Sequence, residues 1–309
     1  MPAPSPLLEL LEPETAAALA AAPRWDTTSI AALRGSLPAP AARPSHPRVE
    51  RTDITLGTAH PVRVRVYRTA GATGPAPCLL WMHGGGYVMG TLDGADARLD
   101  AIVARLGIVA VSIDWRLAPE HPYPAGLTDA HAAWDAINDD DAGLGIDTER
   151  IVVGGSSAGA GLAAALCLRL RDLGRPQPAL QLLVSPMIDN RPTPSMRAIT
   201  DARLWNADAN ALAWSAYLSG ISPVPETAAP ARARDLTGVA PAFVAVGQVD
   251  GFVDEDIAFA HALLRAGVPT ELHVYPGVAH GAFGGSPRTP RTRQFERDAL
   301  EALERALRG

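Results

Sequence analysis

Cysteine is almost missing from this chain of 309 residues. Cys78 and Cys167 each sit in an apolar run, and no CxxC pair occurs. That rules out a disulfide framework and suits two buried thiols. Clustered basic charge is missing too. The net charge is -6, with no Lys/Arg cluster, which argues against nucleic acid as a partner. No apolar run approaches the roughly 18 residues of a membrane span. Met1-Pro2-Ala3-Pro4-Ser5-Pro6 lacks a basic start, and Glu9, Glu12 and Glu14 interrupt the apolar stretch behind it. No secretory leader is expected, and the protein is read as cytoplasmic. There is no HExxH motif or Cys/His cluster, so no metal site is expected. Asn138-Asp139-Asp140-Asp141 lacks the EF-hand spacing after it and reads as a solvated helix end. What abounds is apolar. Hydrophobic residues make up 47% and charged residues 19%, enough for a sizeable core in one large domain or two smaller ones.

Residues 7–22 read as a short Ala/Leu helix, followed by a loop rich in Pro, Ala and Arg to about residue 48. Val62, Val64 and Val66 then alternate with Arg63, Arg65 and Tyr67, the period of a half-exposed strand. Further strands are expected at 78–83, 108–114, 150–155, 179–185, 242–248 and 271–275. Helices are expected at 94–106, 126–138, 158–173, 254–266 and 290–308. Most of the strands are continuous apolar runs, as in a mostly parallel sheet with helices on both faces. Residues 188–225 break the rhythm with several prolines, Trp205, Trp214 and Tyr217. They read as an insertion over the site that forms a small helical lid with segment 1–48. The alternative is a surface excursion whose aromatics pack on the core. The division is then a lid segment, 1–48, and a main α/β domain, 49–309.

The most informative stretch is Ile151-Val152-Val153-Gly154-Gly155-Ser156-Ser157-Ala158-Gly159. An apolar run meets a Gly-x-Ser-x-Gly turn and leaves through a long Ala/Leu stretch. Strand, sharp turn, helix is the setting of a nucleophile elbow, with Ser157 at its apex. Ser156 is its neighbour and a decoy. A serine hydroxyl needs a base, and the base needs a carboxylate to orient it. Of eight histidines, His280 lies in the small-residue loop Gly277–Ala282 just past a strand. His273 falls inside that strand, and His131 and His261 fall in helices, where structural roles are expected. Asp250 ends the run Phe243–Val249, whereas Asp254, Glu255 and Asp256 read as helix-start acids. The order Ser157, Asp250, His280 matches the nucleophile, acid, base order of one known hydrolase fold. Directly after strand 78–82 comes His83-Gly84-Gly85-Gly86-Tyr87. Its bare backbone N–H groups, with that of Ala158, can hold an oxyanion. His83 is expected to brace the loop. Gly159-x-Gly161-x-x-Ala164 imitates a dinucleotide fingerprint, but the next strand run ends in Ser185 and Asp189 comes late, so no nucleotide cofactor is expected.

These motifs, with Asp114-Trp115-Arg116-Leu117-Ala118-Pro119-Glu120, resemble the hormone-sensitive-lipase-type esterases, bacterial lipolytic family IV. The resemblance covers roughly residues 60–285. It implies an α/β-hydrolase fold, oxyanion donors at Gly85, Gly86 and Ala158, no cofactor or metal, often a homodimer, and short- to medium-chain acyl esters as substrates. Against the family pattern, Ser156 replaces an Asp and Ala160 a Gly. The acid loop reads Asp250-Gly251-Phe252-Val253-Asp254-Glu255, and the base is followed by Gly281-Ala282-Phe283. Asp114, Arg116 and Glu120 are expected to form a hydrogen-bond network supporting the oxyanion loop, together with His83 and Gly84. Tyr87, Trp205 and Trp214 are candidates for the substrate pocket. Two alternatives stay open: an arylamide amidase or deacetylase using the same triad, and a non-catalytic ligand-binding protein on this scaffold.

Overall fold

Aliphatic runs make the strands of a single sheet. The computed structural model describes residues 6–36, 44–57, 60–139, 143–283 and 288–308. The strands are β1 (Val49–Leu56), β2 (Val62–Thr69), β3 (Ala76–Met82), β4 (Val109–Ile113), β5 (Ile146–Ser156), β6 (Leu180–Val184), β7 (Ala242–Val249) and β8 (Thr270–Ala279). Their order across the sheet is β1-β2-β4-β3-β5-β6-β7-β8. Among the described strands, only β2 runs against its neighbours. The helices are α1 (Pro13–Ala21), α2 (Ile30–Ser36), α3 (Asp96–Leu106), α4 (Ala125–Asn138), α5 (Ala158–Asp172), α6 (Pro194–Ala198), α7 (Ala207–Leu218), α8 (Val253–Arg265) and α9 (Pro290–Leu307).

The strand period of two divides the core. From β3, Cys78, Leu80 and Met82 face a cluster with α4, α5 and α8 residues such as Leu127, Leu162 and Phe259. Leu79 and Trp81 face the other side, against Leu99 and Val103 of α3 and Phe295 and Leu303 of α9. Both faces are covered, which is why the central strands are apolar along their whole length. Burial pushes the Cys78 thiol up to about 12, so it stays neutral and unreactive.

Three local expectations need correction. The stretch 49–56 is a full strand, paired along its length with β2. Glu50, Arg51 and Asp53 disguised it, because an edge strand with one wet face carries charge. The N-terminal helix is broken into a 3-10 turn, Pro6–Leu10, and α1, with Pro13 at a helix start where its missing N–H does no harm. The supposed loop to residue 48 contains α2. Residues 1–5 and 37–43 of the expected lid segment lie outside the described residues, as do Asp140 and Asp141 of the acidic run.

Candidate active site

β5 carries its apolar run to the carboxyl edge of the sheet, where Ser157 takes φ +56° and ψ −121° before α5 begins. A non-glycine residue held there stores strain of about 1–3 kcal/mol. Backbone bonds hold it: Ser157 N donates to Val184 O of β6 at 2.8 Å, and Ser157 O accepts from Gly161 N at 3.0 Å and Met187 N at 3.1 Å. The flanking glycines have no room for a side chain. A Cβ on Gly155 would lie 2.3 Å from the Gly159 carbonyl carbon, and one on Gly159 2.1 Å from Met82 O. The same crowding explains the false dinucleotide fingerprint. A Cβ on Gly161 would lie 2.1 Å from Tyr87 Oη and 2.3 Å from Met187 O, so this glycine serves helix packing.

β7 ends one residue before Asp250, and β8 ends one residue before His280. Three side chains far apart in sequence meet there. His280 Nε2 lies 3.1 Å from Ser157 Oγ, and His280 Nδ1 lies 2.8 Å from Asp250 Oδ2. The other carboxylate oxygen accepts Phe252 N–H at 3.0 Å. Asp250 is 1% exposed and Ser157 6%, so water hardly competes for these bonds. A carboxylate only accepts, so the proton of a neutral imidazole sits on Nδ1 and Nε2 is left to take the hydroxyl proton. Phe252 packs edge-on against the His280 ring at 5.0 Å.

The Gly loop follows β3 and lies against the elbow. A Cβ on Gly84 would stand 2.9 Å from Ser156 O and 3.3 Å from Ser157 Cβ. Gly85 and Gly86 adopt φ +130° and +61°, which side chains resist. Gly85 O accepts from Val88 N and Met89 N at 3.1 and 3.0 Å. Among the described residues no acceptor reaches the amides of Gly85 or Gly86. Ala158 N belongs to the first turn of α5, where no carbonyl of the helix is available. His83 Nδ1–H donates to Gly84 O at 2.8 Å while the ring stacks on Trp115 at 4.9 Å. Burial depresses its basicity, which keeps it neutral.

The Asp114, Arg116 and Glu120 side chains go to separate partners. Asp114 pairs with Arg63 at 3.2 Å and makes no hydrogen bond to the Gly loop among the described residues. Arg116 pairs with Asp129 at 2.8 Å. Glu120 alone reaches the loop, through Arg34 of α2. Arg34 Nε donates to Val88 O at 2.7 Å and Nη2 to Ala118 O at 2.9 Å. No sequence pattern pointed to Arg34, because its partners lie 54 to 86 residues away.

Of the three aromatic pocket candidates, Trp205 alone lies on the Gly loop. A Cβ on Gly86 would sit 2.0 Å from its ring. Trp205 meets Trp25 edge-on at 6.1 Å, and Trp25 N donates to Ala202 O at 2.6 Å, joining the N-terminal segment to the insertion. All three rings belong to one buried core cluster. Tyr87 stacks on Tyr217 at 3.9 Å, lies 5.3 Å from Trp214, and donates to Met187 O at 2.7 Å. Leu7, Leu8, Leu11 and Leu19 pack on Ile199, Leu204, Val249 and Ala279, beside the strand ends that carry the acid and base.

The acids at the start of α8 do more than offset a helix dipole. Asp254 Oδ2 accepts Ser195 N–H at 2.8 Å. Glu255 Oε1 accepts Ile188 N–H at 2.9 Å and Asp189 N–H at 3.1 Å. Burial drives the Glu255 and Asp256 carboxyls well above the usual carboxylate range. His273 binds Glu271 at 2.7 Å and stands apart from the triad. No helix among the described residues is long and apolar enough to cross a membrane.

A nucleophile on a strand-to-helix turn, with acid and base supplied by later strands in chain order, defines the α/β-hydrolase class. A family model described as an alpha/beta hydrolase fold matches residues 79–284. The chain belongs to that family. It is 36% identical over 274 residues to Esterase LipI of Mycobacterium tuberculosis, covering 86% of this chain and 85% of that one. It is 36% identical over 270 residues to Carboxylesterase NlhH of the same species, covering 84% and 83%. Among solved structures it superposes on a Bacterial Heroin Esterase with a TM-score of 0.91 and 35% identity, over 98% of this chain and 99% of the other.

Proposed function

We propose that the protein is a serine carboxylesterase that cleaves short- to medium-chain acyl esters through an acyl-enzyme. Ester hydrolysis as the class rests on the family and on relatives that are esterases across most of their length. The mechanism rests on one observation, the relay of 3.1 and 2.8 Å from Ser157 through His280 to Asp250. His280 Nε2 takes the hydroxyl proton as Ser157 Oγ attacks the ester carbonyl. The amides of Gly85, Gly86 and Ala158 hold the oxyanion. His280 then gives its proton to the leaving alcohol. Water repeats the sequence on the acyl-enzyme, and the acid leaves. Asp250 keeps the imidazole in the productive tautomer and stabilises its charged form. Residues 1–48 and the insertion at about 188–225 act as the lid over the catalytic domain 49–309. Trp205 seated on Gly86 leaves little room above the oxyanion loop, which favours short acyl chains. A cytoplasmic homodimer completes this reading, and light scattering of the purified protein tests the dimer.

The test is a series of p-nitrophenyl esters from acetate to palmitate, with a matched anilide. Wild type is expected to turn over the short esters, to lose rate with the long ones and to leave the anilide nearly untouched. Ser157→Ala is expected to lose at least about 10³-fold in kcat, while Ser156→Ala keeps its activity. The opposite pattern in the two serine variants overturns the assignment.

A further inference from the structure

On the face covered by α3 and α9, a cavity of about 280 Å³ opens between the two helices, walled by residues such as Ile102, Leu182, Val184, Leu300 and Leu303. A second chamber of about 310 Å³ lies against His83, Gly84, Ser156 and Gly281, behind the elbow. Arg98 of α3 lines both. Its guanidinium lies 5.1 Å from the Trp81 ring centre and 5.7 Å from that of Phe295. One nitrogen, Nη2, donates to Phe283 O. The other, Nη1, is buried and has no acceptor among the described residues. The cavity's acid, Glu296, is already paired with Arg288. With two arginines and one glutamate, the charged lining is net positive. Burial pulls the Arg98 pKa down to about 10, which still leaves it charged at neutral pH. Glu296 acts on Arg98 only through space while it is bonded to Arg288, so the guanidinium makes no ion pair of its own among the described residues, and an exogenous anion would stabilise its charge.

We propose that Arg98 anchors a second small-molecule site, separate from Ser157, for a carboxylate with a short apolar tail. The carboxylate lies on the guanidinium and the tail runs between α3 and α9. Charge complementarity selects the head, and the aliphatic walls select the tail. The site goes beyond the esterase reading and does not depend on it. The acid released from an acyl ester belongs to the same chemical class, so the site would sense product. Phe283, which Arg98 holds, is three residues past His280, and Gly281 lines the rear chamber.

Calorimetric titration of the full chain with octanoate, and with octanol as the uncharged control, tests this. Wild type is expected to bind octanoate at least tenfold more tightly than octanol. Arg98→Gln is expected to lose that tenfold preference, and Ala299→Phe, which fills the cleft from α9, to weaken both ligands. Octanol binding as tightly as octanoate in wild type overturns the carboxylate assignment, and that comparison needs no variant. Octanoate binding unchanged in Arg98→Gln or in Ala299→Phe places the ligand elsewhere and also overturns it. Binding is read without turnover, so a protein that hydrolyses no ester can pass and an active esterase can fail.

Discussion

Replacing Asp250 with Asn changes one atom of the site and tests the relay most sharply. The two carboxylate oxygens have different duties, one accepting Phe252 N–H at 3.0 Å and the other facing His280 Nδ1 at 2.8 Å. Asn supplies only one acceptor. If its carbonyl stays on Phe252 N–H, its NH₂ points at His280 Nδ1. The imidazole must then carry its proton on Nε2, where it points at Ser157 Oγ and cannot take the hydroxyl proton. If the amide flips, NH₂ confronts a backbone N–H in a site 1% exposed, and an unpaired buried donor costs about 1–3 kcal/mol. The first arrangement therefore prevails, and the wrong tautomer accumulates. The comparable change in another serine hydrolase lowers kcat about 10⁴-fold, roughly 5.5 kcal/mol of barrier, and a similar loss is expected here. KM for p-nitrophenyl butyrate and the thermal midpoint should barely move, because shape and packing are kept. Nitrogen NMR of the imidazole should show the proton moved from Nδ1 to Nε2. Adding Asp250→Asn to Ser157→Ala should cost almost nothing more, since the two act as a unit. A kcat within tenfold of wild type at an unchanged midpoint would refute the claim that Asp250 orients His280.

Other outcomes follow from the same geometry. Gly86→Ala puts a methyl 2.0 Å from the Trp205 ring at φ +61°, and should lower kcat/KM for p-nitrophenyl butyrate by about 10²–10³ through the lost oxyanion contact. Adding Trp205→Ala should recover only part of this, because the backbone strain remains; full recovery would remove Gly86 from the oxyanion site. Gly161→Ala meets Tyr87 Oη at 2.1 Å and Met187 O at 2.3 Å and should cost about 1–3 kcal/mol in urea unfolding; no loss would show that α5 can shift freely. Asp256 is wholly buried, and neither carboxylate oxygen has a partner among the described residues. The folded protein holds its proton more tightly than the unfolded chain does. Its contribution to folding is therefore complete below about pH 3.9 and is lost as pH rises toward the folded-state value. Asp256→Asn should be more stable than wild type at pH 8, with the gain shrinking as pH falls toward about 4 and constant below it. A difference independent of pH in urea titrations would contradict that.

Local chemistry made much of this legible from sequence. The central strands announce themselves because both faces are buried, and the elbow because strand, glycine turn and helix are contiguous. Ser157, Asp250 and His280 each stand directly after a strand, so chain position told which edge they reach. What escaped depends on contacts between distant segments. Edge strand β1 carries Glu50, Arg51 and Asp53 on a wet surface and shows no apolar run. α2 has only Leu33 fully buried, so its apolar face is too narrow to show. Arg34 gains its meaning from Val88, Ala118 and Glu120. Residue type and position make Tyr87, Trp205 and Trp214 pocket candidates, and sequence does not show that all three rings share one buried cluster beside the loop.

The start of α8 shows how one acidic run can hold several parts of a site together. Asp250 faces the base, and its second oxygen takes the N–H of Phe252, whose ring then walls the imidazole. Two residues on, Asp254 grips Ser195 N–H at the start of α6, and Glu255 grips the backbone at Ile188 and Asp189, where the insertion leaves the sheet. Acid loop and insertion thus share one rigid turn. The arrangement also explains why burial at Glu255 is tolerated. A carboxyl taking two backbone N–H groups satisfies donors that would otherwise be orphaned where the chain turns away from β6. In the proposed reading, where residues 188–225 form the lid and Ser157, His280 and Asp250 the triad, the turn that holds Asp250 also anchors the start of the lid, so the two are coupled through a single helix terminus.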